Sequence, residues 1–315
     1  MYKILARYQK NIIMMLLSLG TVFVNFCSAQ TREMFWCDYY RFATVFISYQ
    51  DTITKKMNKS TGFMVNNYQN DSTRILVFCR HILGNTSHFD IKAPLRLMLQ
   101  SGDTVMSTAV QRIRIVDTNG VRLWRALSDT HVDIAVVETG SAWKYANPGE
   151  KVIDKHHIEM DTSCFANKYE LYEGDFVYFT GYPLGLAGEI SPFPMTRFGV
   201  IASLHGEEIL KRRLFIIDGS GFSGSSGSPV VLAPISIVQS PYVIGGGKKL
   251  IGVQIGYKDM YPVVDSMALI ENKKTGIVDT MIIRFQTKEN SHLMVVAPVE
   301  LIRKTLALID PEWNK

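Results

Sequence analysis

The chain has 315 residues, of which 47% are hydrophobic, 11% aromatic and 20% charged. That balance excludes disordered, collagen-like and low-complexity chains and leaves room for one large domain or two ordinary ones. The formal charge of +5 sits largely at the start, where residues 1–29 carry Lys3, Arg7 and Lys10 and no acid; without them the net charge is about +2, which does not mark nucleic acid as a partner.

That opening reads as an export signal. A basic stretch through Lys10 is followed by the apolar run Ile12 to Phe26 and then Cys27-Ser28-Ala29, which suits cleavage after Ala29 and leaves Gln30 first. Ser18, Gly20 and Asn25 interrupt the run, and a membrane span needs about twenty apolar residues. An uncleaved anchor is the alternative; a lipoprotein at Cys27 is disfavoured by the bulky Phe26 before it. No later segment approaches spanning length, so a periplasmic or secreted chain without a membrane span is expected. Removal of the signal leaves Cys37, Cys79 and Cys164, an odd set without metal-like spacing. Cys79 and Cys164 are expected as buried free thiols, with at most one disulfide in the chain.

From residue 43 onward, short runs rich in Val, Ile, Phe and Tyr alternate with Gly, Asn, Asp and Ser, the pattern of β-strands. Ala43–Tyr49, Thr61–Val65, Ile75–Cys79, Leu95–Gln100, Gln111–Val116 and Asp133–Val137 form a first group that suits a small barrel. The polar stretch from Gly140 to Tyr169 reads as a crossover. A second group follows at Phe176–Thr180, Arg197–Leu204, Leu214–Asp218, Val230–Leu232, Leu250–Ile255, Thr280–Arg284 and Leu293–Ala297. The last segment, Pro298 to Leu308, spaces its apolar residues as a short amphipathic helix opened by proline. The expected organisation is a signal at 1–29, an N-terminal barrel at 30–150, a linker at 151–172, and a C-terminal barrel plus helix at 173–315. No αβ alternation supports a doubly wound fold.

The most informative segment is Gly219-Ser220-Gly221-Phe222-Ser223-Gly224-Ser225-Ser226-Gly227-Ser228-Pro229, a small-residue loop entering a strand. A nucleophilic serine needs its hydroxyl on a tight turn with backbone N–H groups converging beside it, and Gly224 and Gly227 around Ser226 permit that. The G-x-S-x-G elbow of α/β-hydrolases is absent, because Ser228 stands where its last glycine would be. A serine also needs a base, and His81 closes the apolar run Ile75-Leu76-Val77-Phe78-Cys79-Arg80 at a polar corner. A histidine base needs a buried carboxylate to fix its tautomer, and Asp133 opens the run Asp133-Ile134-Ala135-Val136-Val137. The other histidines, His292 among them, read as surface or structural residues.

Taken together, Thr61-Gly62-Phe63, Arg80-His81, Asp133-Ile134-Ala135-Val136 and Gly224-Ser225-Ser226-Gly227-Ser228-Pro229 resemble the chymotrypsin-fold serine proteases. Within that superfamily the chain resembles the bacterial trypsin-like peptidases related to HtrA-type proteases and glutamyl endopeptidases. Glu173-Gly174-Asp175, Gly181-Tyr182-Pro183 and Arg197-Phe198-Gly199 look like the opening of the second barrel in HtrA-type domains. The resemblance covers roughly residues 40–308 and implies an all-β fold of two six-stranded antiparallel barrels with a short C-terminal helix. No residues remain after the helix for a PDZ domain.

The resemblance implies roles as well. His81 would take the proton of Ser226, Asp133 would steady His81, and the N–H groups of Gly224 and Ser226 would form the oxyanion hole, with no metal or organic cofactor. Ser220 falls at the base of the primary pocket, where trypsin itself is acidic, so a preference for Arg or Lys is not implied. Ile251-Gly252-Val253-Gln254-Ile255-Gly256 matches the edge strand that binds substrate, which puts Gln254, Ile255 and Gly256 among the substrate-binding positions. Glutamyl endopeptidases carry a histidine where Gln254 falls. The expected activity is an exported serine endopeptidase acting on protein or peptide. A protease-fold binding or latent module, or a narrow esterase or self-processing enzyme using the same triad, is the alternative, and the oligomeric state is not legible.

Overall fold

The computed structural model describes residues 36–84, 86–140, 143–145, 148–149, 151–156, 159–166, 171–186, 193–205, 213–233, 249–271, 278–287 and 289–314. The expected export signal and residues 234–248 lie outside these. The chain divides into two units at Tyr40. Of the first, the four residues described are the start of helix α1 (Trp36–Ala43); all that follows concerns residues 40–315.

The first sheet contains β1 (Thr44–Gln50), β2 (Met57–Asn66), β3 (Arg74–Phe78), β4 (His88–Leu99), β5 (Thr104–Arg114), β6 (Trp124–Arg125), β7 (Ala135–Thr139), β8 (Lys144–Tyr145) and β9 (Val152–His156). Its order is β6-β7-β3-β2-β1-β4-β5-β8, with β9 also paired to β4. β3 lies between β2 and β7, and Ile75, Leu76, Val77 and Phe78 are fully buried. An unbroken apolar run suits such a strand, which is covered on both faces. Val45, Ile47, Met64, Leu76, Phe78, Phe89 and Ile91 make the core beneath.

β4 begins earlier than the expected Leu95. Phe89, Ile91 and Ala93 point inward while His88, Asp90 and Lys92 alternate with them, so half of its first six positions look polar. The stretch expected as a crossover supplies β8 and β9, which pair with β5 and β4. Their polar composition suits strands at a sheet margin.

The second group closes into a barrel of β10 (Phe176–Gly181), β11 (Met195–Ser203), β12 (Phe215–Asp218), β17 (Glu289–Pro298), β14 (Leu250–Met260) and β13 (Pro229–Leu232), in that ring order. β15 (Val263–Glu271) and β16 (Val278–Gln286) form a separate antiparallel pair, and β15 was not expected. The all-β architecture thus combines one closed six-stranded barrel with a sheet whose described strands do not pair into a ring.

Helix α2 (Val299–Leu306) follows Pro298 as expected. It buries Val299, Leu301, Ile302, Thr305 and Leu306 and packs on β14, β17 and β7, tying the two sheets together. After it, Trp313 is fully buried, donates from Nε1 to Asn66 O (3.3 Å), and sets its ring centre 4.8 Å from that of Phe165 at a 40° tilt.

Candidate active site

His81 stands just beyond β3, where the turn Arg80–Leu83 leaves the sheet and buries Ile82 and Leu83 as its anchors. β7 is the neighbour of β3, with Phe78 opposite Ala135. Continuing that ladder by two residues sets Arg80 N on Asp133 O (3.3 Å) and brings Asp133 beside His81. The carboxylate then holds the histidine twice: Oδ1 accepts from the His81 backbone N–H (2.8 Å) and Oδ2 lies 2.6 Å from Nδ1. An ionised carboxylate only accepts, so Nδ1 carries the proton in this pairing and Nε2 keeps its lone pair.

Ser226 is held from both sheets. Its carbonyl accepts from Thr61 N (3.0 Å) and Ser60 Oγ (2.8 Å), both on β2. Thr61 Oγ1 donates to Gly224 O (2.7 Å) and accepts from Tyr182 N (3.0 Å), so one buried hydroxyl fixes two loops. Gly224 and Gly227 have φ of 88° and 92°, where L side chains are strained, and a Cβ on Gly227 would collide with the Thr61 carbonyl. The turn is therefore closed to larger residues at these two places.

Its amides divide into two sets. Ser225 N, Gly227 N and Ser228 N are taken by Phe222 O, Gln254 O and Ser225 O. Gly224 N and Ser226 N donate to no acceptor among the described residues. Ser226 and Gly224 line a cleft of ≈ 460 Å³ together with His81, Ser223, Leu184 and Tyr257. The structure therefore seats His81 and Ser226 on one surface, with Asp133 behind His81.

The substrate positions read from the sequence fare differently from one another. Ser220 Oγ is 2.9 Å from His292 Nδ1. The Gln254 side chain is fully buried, and neither its oxygen nor its nitrogen has a hydrogen-bond partner among the described residues. Ile255 sits at a bulge where the pairing of β14 with β17 skips from Gln254 to Gly256, and its side chain packs against the core of the first sheet. Gly256 faces open space.

The sequence reading did not single out Arg197. On β11 its neighbours Gly199 and Ile201 are buried while Phe198 is 69% exposed, so the arginine takes an inward position and the phenylalanine an outward one. That inverted polarity is visible in the alternation. Arg197 Nη1 donates to Ser220 O and Nη2 to Ser225 Oγ (2.8 Å), and its guanidinium lies 4.6 Å from the ring centre of Phe179 and 5.4 Å from that of Phe222. Burial brings its pKa down to about 10.

Cys79 Sγ, His81 and Asp133 also lie within 4.8 Å of one another. The thiol is fully buried, donates to Gln254 O (3.4 Å), and has its pKa pushed up by burial and by the Asp133 charge. Within this trio Asp133 is engaged with His81 through both oxygens, and the thiol with Gln254 O. Cys164 is also a free thiol, but half-buried where full burial was expected; Asp161 beside it accepts its S–H at 3.5 Å.

Residues 60–234 match the trypsin-like peptidase domain. The chain belongs to the trypsin-like peptidase family. It is a serine-type peptidase, and the matched segment contains His81, Asp133 and Ser226. Among solved structures it is similar to the protease Anisep from Arthrobacter nicotinovorans, at 13% identity over 86% of this chain and 96% of that one, with a TM-score of 0.44. It is also similar to the active form of the Rv3671c protease from M. tuberculosis, at 14% identity over 87% and 83% of the two chains, with a TM-score of 0.40. No curated protein matches the chain.

Proposed function

We propose that this peptidase is an exported endopeptidase using His81 as base, Asp133 as its orienting carboxylate and Ser226 as nucleophile. The observation that carries the reading is the double hold of Asp133 on His81 in a cleft shared with Ser226, whose loop offers two uncommitted amides. His81 Nε2 takes the hydroxyl proton as Ser226 Oγ adds to the substrate carbonyl. The oxyanion that forms is met by Gly224 N and Ser226 N, and losing one such donor costs about 10²–10³ in rate. The imidazolium gives its proton to the leaving amine, the peptide bond breaks, and an ester to Ser226 remains. Water, deprotonated by His81, then hydrolyses that ester and restores the enzyme.

Export is supported by the basic, apolar and small-residue order of residues 1–29. Among the described residues no helix is long and apolar enough to cross a membrane.

Intact mass after treatment with a fluorophosphonate, run beside Ser226→Ala and His81→Ala, tests the mechanism. One adduct on the native protein, none on Ser226→Ala and slow labelling of His81→Ala is the expected result; an unlabelled native protein overturns it. A peptide and ester panel separates the activities, since ester turnover without peptide turnover would make this an esterase. Expression with the leader intact should yield an exported product beginning at Gln30; an exported product retaining residue 1 makes the segment an uncleaved anchor, and a product left in the cytoplasm removes the export reading.

A further inference from the structure

The basic run Lys55-Lys56-Met57-Asn58-Lys59 takes no part in the catalytic steps, yet the fold brings it to the cleft of Ser226. It spans the end of the turn between β1 and β2 and the first residues of β2. That turn is closed from within. Lys55 N donates to Asp51 O (2.9 Å), Asp51 N donates to Lys56 O (3.0 Å), and Asp51 Oδ1 accepts from Ile53 N (2.9 Å) and Thr54 N (2.7 Å). Asp51, the acid of this turn, is thus taken up in capping it and does not line the cleft. Lys56 and Lys59 do line it, in the same cavity of ≈ 460 Å³ as His81 and Ser226.

Lys59 is placed by its stem. Gly185 ends the turn Pro183–Gly185, and a Cβ there would come within 2.1 Å of Lys59 Cδ. Gly185 in turn lies against Gly224, where a Cβ would come within 2.8 Å of Gly185 N. Packed methylenes leave a lysine head free to face water or a ligand. One of its three donors reaches Gly185 O (3.4 Å), and two remain.

The two flanks of Ser226 therefore differ. On one, Gly227 N bonds Gln254 O, and β14 continues to Tyr257; on the other, beyond Gly224, lie Leu184, Gly185 and Lys59. A peptide whose acyl half runs along β14, at the positions assigned to Gln254, Ile255 and Gly256, sends its leaving half across the lysine flank. Lys56 and Lys59 are both exposed and pair with no carboxylate among the described residues, and no Asp or Glu lines the cavity. Met57 and Leu184 stand beside them, 54% and 61% exposed. A cleft with charge of one sign and apolar walls concentrates the field on what enters it.

From this arrangement we infer that the substrate carries an acidic residue, Asp or Glu, within the first two positions after the scissile bond, received by Lys59 and Lys56. The inference rests on the endopeptidase reading with Ser226 as nucleophile, and it leaves the residue before the bond unassigned.

The test starts from a sequence that the native protein cuts, located by mass spectrometry of a digested peptide library, and varies it one position at a time in internally quenched peptides. At one of the first two positions after the bond, Glu is expected to exceed the isosteric Gln by about fivefold in kcat/KM and Lys by about 20-fold. Raising the salt from about 0.02 M to about 0.5 M should erase most of this, because both ammonium groups are exposed. Lys56→Met with Lys59→Met is expected to bring the Glu-to-Gln ratio near one, and Lys59→Glu to turn the preference towards Lys. If the native protein labels with fluorophosphonate yet shows no charge preference after the bond, or cuts no peptide, the inference is overturned while the nucleophile stands. A preference that survives 0.5 M salt, or the double variant, overturns the assignment to these lysines. An unlabelled native protein removes both readings together.

Discussion

On the first sheet, His81 and Asp133 follow from a single strand pairing: β3 and β7 are neighbours, and the bonds that join the two residues extend that ladder. On the closed barrel, Ser226 lies in a loop whose conformation depends on donors from elsewhere, chiefly Ser60 and Thr61 of β2. The base is therefore organised within its own sheet, and the nucleophile is organised by contact between the two. A change in the first sheet can disturb the serine without touching the histidine. The reverse route is much narrower.

Replacing the reacting groups gives the largest effect and calibrates both sides. Ser226→Ala and His81→Ala should each lower kcat by about 10⁶-fold, and the double variant should be little worse, because the pair acts as a unit. Asp133→Asn should cost about 10⁴-fold. The amide can still accept the His81 backbone N–H but turns the imidazole to the wrong tautomer. Steady-state kinetics on one peptide decides the matter, and additive losses in the double variant would separate the two residues mechanistically.

Trp313→Ala comes next and should spare chemistry. Its indole is fully buried and closes the end of the chain onto β2 through Asn66, so the loss is about 3–5 kcal/mol in stability, read by denaturant unfolding. At temperatures where the variant is folded, kcat should stay within about twofold of native.

Thr61→Val tests the coupling between sheets directly. The substitution keeps the shape and removes a buried hydroxyl that serves Gly224 O and Tyr182 N, which costs about 1–3 kcal/mol. Because Gly224 N is half of the proposed oxyanion site, kcat should fall further than stability alone explains, with fluorophosphonate labelling slowed in parallel. Ser60→Ala removes one bond to Ser226 O and should show the same signs at smaller size. Equal kcat in Thr61→Val and native protein would mean that the loop holds its shape unaided.

The same contrast explains what the sequence disclosed. β3 was legible because a strand buried on both faces must be apolar at every position, as Ile75 to Phe78 are. The first half of β4 was not, since His88, Asp90 and Lys92 share it with Phe89, Ile91 and Ala93. β8 and β9 were hidden for a related reason, being short and at the margin. His81, Asp133 and Ser226 could be singled out because each carries a local signature, a polar residue at a strand end or a serine between glycines. Arg197 and His292 have none of that kind. They approach Ser220 from β11 and β17, and only the closed barrel brings these strands to the loop.

Asp161 provides the smallest effect and a control far from the chemistry. Burial raises the pKa of its carboxyl, but the hydrogen bonds from Ser163 and Cys164 outweigh that and leave it below the ordinary carboxylate value. A group whose pKa is lower in the folded protein stabilises it above the unfolded pKa and loses that contribution as pH falls through the folded value. The bonds cap the short turn Thr162–Cys164, so Asp161→Ala should cost about 1 kcal/mol at neutral pH, reduced by partial exposure. The difference from native should shrink as pH falls from above the unfolded carboxylate value through the lower folded one. Thermal melts of the two proteins from pH 7 to pH 2 measure this, and kcat at neutral pH should be unchanged. A fall in kcat would tie the segment between the sheets to the cleft, extending to Asp161 the inter-sheet dependence that Thr61 gives the nucleophile.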